Sequence, residues 1–200
     1  MLDHAANPGR HALTERKDDL YETPEVATRA LLKVEPLPEI IWEPACGPGA
    51  IVRVLRAAGH KVYATDLVDY GCPDSESRVD FLMEHGAPTF IGAIVTNPPY
   101  KLATEFASRA LLLAPKVVML MRLAFLESEK RRAILDSGHL ARVHVFRNRL
   151  PTMHRGGWQG NKSGSSIPFA WFVWERSHQG AAEIHRLSWE AEPGEAFERA

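Results

Sequence analysis

The sequence predicts an α/β fold, a mostly parallel sheet with helices on both faces. Three observations carry that expectation. Short apolar runs alternate with stretches of helical spacing, two of those runs end in loop motifs, and no internal repeat interrupts the alternation. Two hundred residues suit one domain with a full core, and a 45% hydrophobic share argues against wholesale disorder. No apolar stretch approaches the ~20 residues needed to cross a bilayer. The start, Met1-Leu2-Asp3-His4, lacks the basic-then-apolar pattern of a secretory signal. Cys46 and Cys72 form no Cys-x-x-Cys pair, so a reducing, cytoplasmic setting is expected.

The elements follow in order. Residues 1–19 are polar and aperiodic, an N-terminal arm ahead of a single domain over 20–190. Thr23-Pro24-Glu25 reads as a helix start, with a capping hydroxyl, proline at the first helical position and an acid in the first turn. Val26, Ala27, Ala30, Leu31 and Val34 then share a face until Pro36 and Pro38 end it. Ile40-Ile41-Trp42 is a short buried strand. Ala50, Ile51, Val54, Leu55 and Ala58 form a second helical stripe, closed by Gly59.

Strands are expected at Lys61 to Asp66, Arg78 to Leu82 and Phe90 to Thr96. A helix over Ala103 to Ala114 follows, then a strand from Lys116 to Arg122, a helix from Leu123 to Asp136 and a strand from Leu140 to Arg147. Phe169 to Glu175 is apolar on both faces and expected inside the sheet, with a further strand near Ile184 to Leu187 and a frayed tail at 191–200. In such sheets ligands bind beyond the carboxyl ends of the strands.

Two loop motifs occupy such ends. Glu43-Pro44-Ala45-Cys46-Gly47-Pro48-Gly49 closes the first strand, and Asn97-Pro98-Pro99-Tyr100 closes the fourth. Gly47 and Gly49 let the backbone approach a ligand closely. Val52 stands where a dinucleotide fold wants a third glycine, which argues against a nicotinamide or flavin. Asp66 ends the second strand at the distance where an acid grips ribose hydroxyls. Glu43 is placed to pair with an ammonium, and Asp80-Phe81 to offer an acceptor and an apolar face to an adenine ring.

These residues resemble the S-adenosylmethionine-dependent amino-methyltransferases, and most of all the small DNA adenine-N6 enzymes of phages and prophages. Tyr21-Glu22-Thr23-Pro24 is similar to the element that precedes the family's glycine loop. The resemblance spans roughly residues 18–175 and implies the Rossmann-like class I methyltransferase fold, with a mostly parallel seven-stranded sheet. It implies S-adenosylmethionine contacts at Tyr21, Thr23, Pro24, Glu43, Pro44, Ala45, Cys46, Gly47, Gly49, Asp66, Leu67, Asp80, Phe81 and Asn97. It implies catalysis by Asn97, Pro98, Pro99 and Tyr100, and N6-methylation of adenine in DNA. The same chemistry on rRNA or tRNA, or on a protein glutamine amide, is the alternative.

The residue types suit that chemistry. An adenine amino nitrogen is a poor nucleophile because its lone pair is delocalised into the ring. Accepting its protons at the Asn97 oxygen and the Pro98 carbonyl makes it electron-rich, an oxyanion hole with the sign reversed. Prolines 98 and 99 stiffen the backbone, and Tyr100 can stack on the base.

Between Arg122 and Lys162 nine Lys/Arg face three acids, a net +6 in a chain of net -1, which suits a polyanion. Lys130-Arg131-Arg132 reads as a solvated helix face. The aperiodic loop 150–166 supplies Arg155 and Lys162 for phosphates and Trp158 to stack, so nucleic acid is the expected partner. His139, His144 and His154 read as surface or phosphate-near residues. No histidine spacing suits a metal, and Gly160-Asn161-Lys162-Ser163 lacks a phosphate loop's context.

Overall fold

The computed structural model describes residues 21–88, 90–151 and 165–190. Helix α1 spans Glu25–Val34, strand β1 Ile40–Glu43, α2 Ala50–Ala57 and β2 Lys61–Asp66. Strand β3 covers Ser75–Ser77, β4 Ala93–Thr96, α3 Ala103–Leu113 and β5 Lys116–Arg122. Helix α4 (Arg132–Leu135) precedes β6 (Leu140–Phe146), β7 (Phe169–Glu175) and β8 (Glu183–Leu187).

The eight strands form one sheet in the order β3-β2-β1-β4-β5-β7-β6-β8, against the seven expected. Every neighbouring pair is parallel except those of β7, which runs against both β5 and β6. Strand β7 needs no helical crossover because an antiparallel neighbour can be reached by a loop alone. Six of its seven residues are buried, as expected of an internal strand.

The central strands divide their side chains between two cores. Trp42, Ile94, Val117, Met119, Met121, Phe172 and Trp174 point to one face, where α3 packs Phe106, Ala107 and Ala110. Ile41, Ala93, Val95, Val118, Leu120, Trp171 and Val173 point to the other, under Ala27 and Leu31 of α1 and Ile51 and Leu55 of α2. Alternation with period two puts successive residues on opposite faces, so a strand covered on both sides reads as continuously apolar.

Five local expectations are corrected. Thr23 does not cap α1: Pro24 is its N-cap and no side chain bonds its first turn. Val34 is exposed rather than on the packed face, and Thr28 is buried there instead. The third strand lies earlier, at Ser75–Ser77, because Asp80 accepts from the Leu82 amide at 3.0 Å and turns 81–83 into a 3-10 turn. Strand β4 starts only at Ala93, since Gly92 packs against Pro38 in a space that would leave a Cβ 2.5 Å from its ring. The helix expected over 123–136 is broken at Ser128, whose φ of 138° lies in the left-handed region, leaving two 3-10 turns and the short α4.

Candidate functional site

The two motifs converge on one cavity of about 480 Å³. Its walls come from Tyr21, Glu22 and Thr23, from residues 44–48, 66–68 and 79–82, and from residues 97–102. All of these lie at or beside the carboxyl ends of β1, β2 and β4, or on segments packed against those ends.

The glycine turn is built by backbone geometry. Gly47 and Gly49 adopt φ of +52° and +87°, a region costly for any residue with a Cβ. The Cys46 amide donates to the Thr65 carbonyl at 3.0 Å, and the Gly49 amide to the Cys46 carbonyl at 2.8 Å. Asp66 closes the frame by accepting from the Gly47 amide at 2.8 Å and the Val68 amide at 3.0 Å. Burial pushes the Asp66 pKa up, with the Val68, Gly47 and Leu67 amides pulling the other way.

The Asn97 amide nitrogen donates to the Thr23 hydroxyl at 3.0 Å and to the Tyr21 carbonyl at 3.3 Å. The Tyr100 ring stacks on Tyr21 at 5.3 Å, with Phe169 5.9 Å away and the Arg122 guanidinium 4.6 Å from its centroid. Asp80 is exposed on the cavity wall, beside a Phe81 ring held by Phe106 at 4.9 Å and Trp42 at 5.2 Å.

Tyr21, Thr23, Pro44, Ala45, Cys46, Gly47, Asp66, Leu67, Asp80, Phe81, Asn97, Pro98, Pro99 and Tyr100 therefore share the cavity wall. Pro24 and Gly49 sit behind it as helix N-caps. Arg155, Trp158 and Lys162 lie outside the described residues.

Glu43, expected to pair with an ammonium, lies behind the cavity wall and not in it. Its side chain is fully buried, lies outside the cavity wall and accepts from the Ala45 amide at 3.2 Å. Burial pushes its pKa up to about 8, against the Thr96 hydroxyl and the Ala45 amide, which favour the ionised form. In this arrangement the carboxyl lies behind the cavity wall, and burial disfavours its ionised form.

The basic segment is also less available than its charge suggests. Arg131 is half-buried, donating to the carbonyls of Glu127 at 2.7 Å and Phe125 at 3.1 Å, while Lys130 and Arg132 are exposed. Arg142 pairs with Glu35 and Glu175 at the opposite edge of the sheet. His144 is buried against Glu35 at 2.8 Å, not at the surface. His139 is half-buried, bonding the His178 carbonyl at 3.0 Å. Arg122 was counted only as part of the basic segment and not set beside Tyr100, although its place at the carboxyl end of β5, next to β4, was a signal available in the sequence. Among the described residues, no group of three His, Cys, Asp or Glu could hold a metal ion, and no helix is long and apolar enough to cross a membrane.

No protein-family model matches the sequence, and no curated protein matches it. Solved structures do match the fold. A provisionally assigned RNA methyltransferase from Pyrococcus horikoshii superposes with a TM-score of 0.56 at 12% identity, covering 78% of this chain and 85% of that one. The modification subunit of a provisionally assigned type I restriction enzyme from Vibrio vulnificus gives 0.55 at 14%, covering 90% of this chain and 49% of that one. A provisionally assigned class I S-adenosylmethionine-dependent methyltransferase from Listeria monocytogenes gives 0.54 at 13%, covering 82% and 65%. The fold is that of the class I methyltransferases. In open α/β sheets ligands bind beyond the carboxyl ends of the strands, where the cavity lies.

Proposed function

We propose that the cavity binds S-adenosylmethionine and that the chain transfers its methyl group to the N6 nitrogen of adenine in DNA. The observation that carries this reading is the convergence of Gly47, Asp66, Asp80 and Asn97 to Tyr100 on one cavity. About 480 Å³ falls in the ordinary range for a small-molecule site. The donor set fits a nucleoside: Asp66 keeps lone pairs beyond those used by Gly47 and Val68, Asp80 offers a second acceptor, and Phe81 lies beside it in the wall.

When bound, the cofactor supplies an electrophilic methyl group on a sulfonium. The chain's own residues prepare the nitrogen. The Asn97 oxygen and the Pro98 carbonyl would accept the amine protons and meet the developing positive charge with preorganised dipoles. Prolines at 98 and 99 hold that carbonyl in place, and the Tyr100 ring offers a face for a base brought out of its stack. No strong base is required, because a methylated ammonium sheds its proton readily.

Exposed Arg122, beside Tyr100, supports a nucleic-acid acceptor. The choice of DNA rests on the motif resemblance, and rRNA or tRNA is the second reading. Incubation with labelled S-adenosylmethionine and DNA, rRNA, tRNA or a glutamine-bearing protein tests both. N6-methyladenine in digested DNA is the expected product. Label in RNA alone moves the assignment to RNA, and label in none of them rejects the reading.

A further inference from the structure

Thr23 has the residue type and position of a helix cap, yet it caps nothing. Its hydroxyl instead accepts from the Asn97 amide nitrogen at 3.0 Å, across 74 positions of sequence. The Tyr21 carbonyl accepts from the same nitrogen at 3.3 Å. Thr23 is only 5% exposed, so water scarcely competes for that hydroxyl.

We infer that Thr23 is a positioning residue for Asn97, holding in place an amide whose sense the Tyr21 carbonyl sets, with its oxygen as the end offered to a substrate amine; this rests on the amino-methyl transfer proposed above. A primary amide is nearly symmetric in shape, and its two ends differ in hydrogen-bond sense. The Tyr21 carbonyl can only accept, so a flipped amide would set oxygen against oxygen there, while the Thr23 hydroxyl anchors the same nitrogen from a second direction and holds the amide plane. A flipped amide would also aim N–H donors at an amine whose own protons need acceptors.

The segment carrying Thr23 is fixed from both sides. Arg53 donates to the Pro48 carbonyl of the glycine turn at 2.9 Å, and its guanidinium pairs with Glu22 and Glu25, each at 3.3 Å. The Tyr21 ring rests on Tyr100. One short strap thus touches both loop tips, so a hydroxyl on it can hold the amide in register with the cavity.

The test compares the full chain with Thr23→Val, Thr23→Ser and Thr23→Ala. Turnover is measured on an adenine-containing oligonucleotide, S-adenosylmethionine affinity by calorimetry, and hydrogen exchange of the Asn97 side-chain amide by nuclear magnetic resonance. Thr23→Val is expected to lower kcat, read at saturating S-adenosylmethionine, about tenfold, equivalent to ~1.4 kcal/mol, with the KM for the oligonucleotide within about twofold. Exchange of the Asn97 amide should quicken about fivefold or more, and Thr23→Ser should restore both. Thr23→Ala gives the same reading if the valine variant does not fold. A kcat within twofold of wild type, a serine variant no better than valine, or a loss carried wholly by cofactor affinity overturns the inference. Should wild type methylate nothing while Thr23→Val still loosens the Asn97 amide, the methyl-transfer reading fails and the positioning stands.

Discussion

Asp66 accepts the Gly47 amide hydrogen at 2.8 Å, so the tip of β2 directly holds the turn that follows β1. Its other oxygen holds the Val68 amide, and the carboxylate is partly buried between them. One side chain therefore shapes the glycine turn and lines the cavity.

Asp66→Ala should damage both at once. Two hydrogen bonds to a charged acceptor are lost, at about 1.5–3 kcal/mol each where one partner is ionised. Calorimetry should show S-adenosylmethionine affinity falling at least tenfold, and the melting temperature should drop. An unchanged affinity would remove Asp66 from the cofactor site.

Asn97→Ala separates chemistry from binding. Deleting one preorganised polar group of this kind costs about 10²–10³ in rate. Turnover should fall by that factor while cofactor affinity, measured by the same calorimetry, stays within about threefold. Equal loss of both would make Asn97 a structural residue.

The sequence was readable wherever period and punctuation agreed. Strands β2, β5 and β7 fall at the expected residues because their apolar runs are long and bounded by turn residues. The glycine turn and residues 97–100 were readable as a pair for a similar reason, each ending such a run. Misreadings arose where one side chain overrode the pattern. Asp80 turned an alternating Val79-Asp80-Phe81 into a 3-10 turn, and Ser128 broke a helical run through its own backbone angle. Glu43 was placed correctly along the chain, but its direction depends on burial beneath the sheet tip, which spacing does not encode. The partners of Thr23 and Glu35 lie 74 and 107 positions away, beyond any local signal.

Glu43 should make the protein less stable as pH rises. Its folded pKa of about 8 lies above the ordinary 4.5, so between those values the folded state keeps a proton that the unfolded state releases. Stability then falls with increasing pH across that window, by on the order of 5 kcal/mol in full. Below pH 4.5 both states hold the proton and the effect vanishes. Melting temperatures from pH 5 to 9 should decline for wild type and flatten in Glu43→Gln, which keeps a neutral polar group of similar shape. Parallel profiles would place the titration elsewhere.

At the opposite edge of the sheet Glu35 has the reverse sign. Burial alone would raise its pKa, but bonds from His144, Arg142 and Lys116 outweigh it and hold the carboxyl well below the usual range. Its stabilisation is present above the ordinary carboxylate pKa and is lost as acidification proceeds towards the lowered one. Glu35→Ala strands these partners, and breaking a buried pair from one side costs about 3–5 kcal/mol. The urea midpoint should fall accordingly. Cofactor affinity of the folded fraction should hold, because Lys116 and Arg122 are at opposite ends of β5, ~20 Å apart at ~3.3 Å per residue.

Gly49 and Cys72 offer a test of why the turn needs glycine at its second position. A Cβ on residue 49 would lie 2.7 Å from the Cys72 sulfur, and φ there is +87°. Two separable costs follow for Gly49→Ala: steric overlap with a buried thiol, and about 1–3 kcal/mol of left-handed backbone strain. Adding Cys72→Ala removes the sulfur and leaves the strain. Gly49→Ala should therefore lower the melting temperature and weaken cofactor binding. The double variant should recover part of the stability, even though Cys72→Ala alone opens a small void and destabilises. Full recovery would show that φ carries no cost at this turn, and no recovery would show that backbone strain alone demands the glycine.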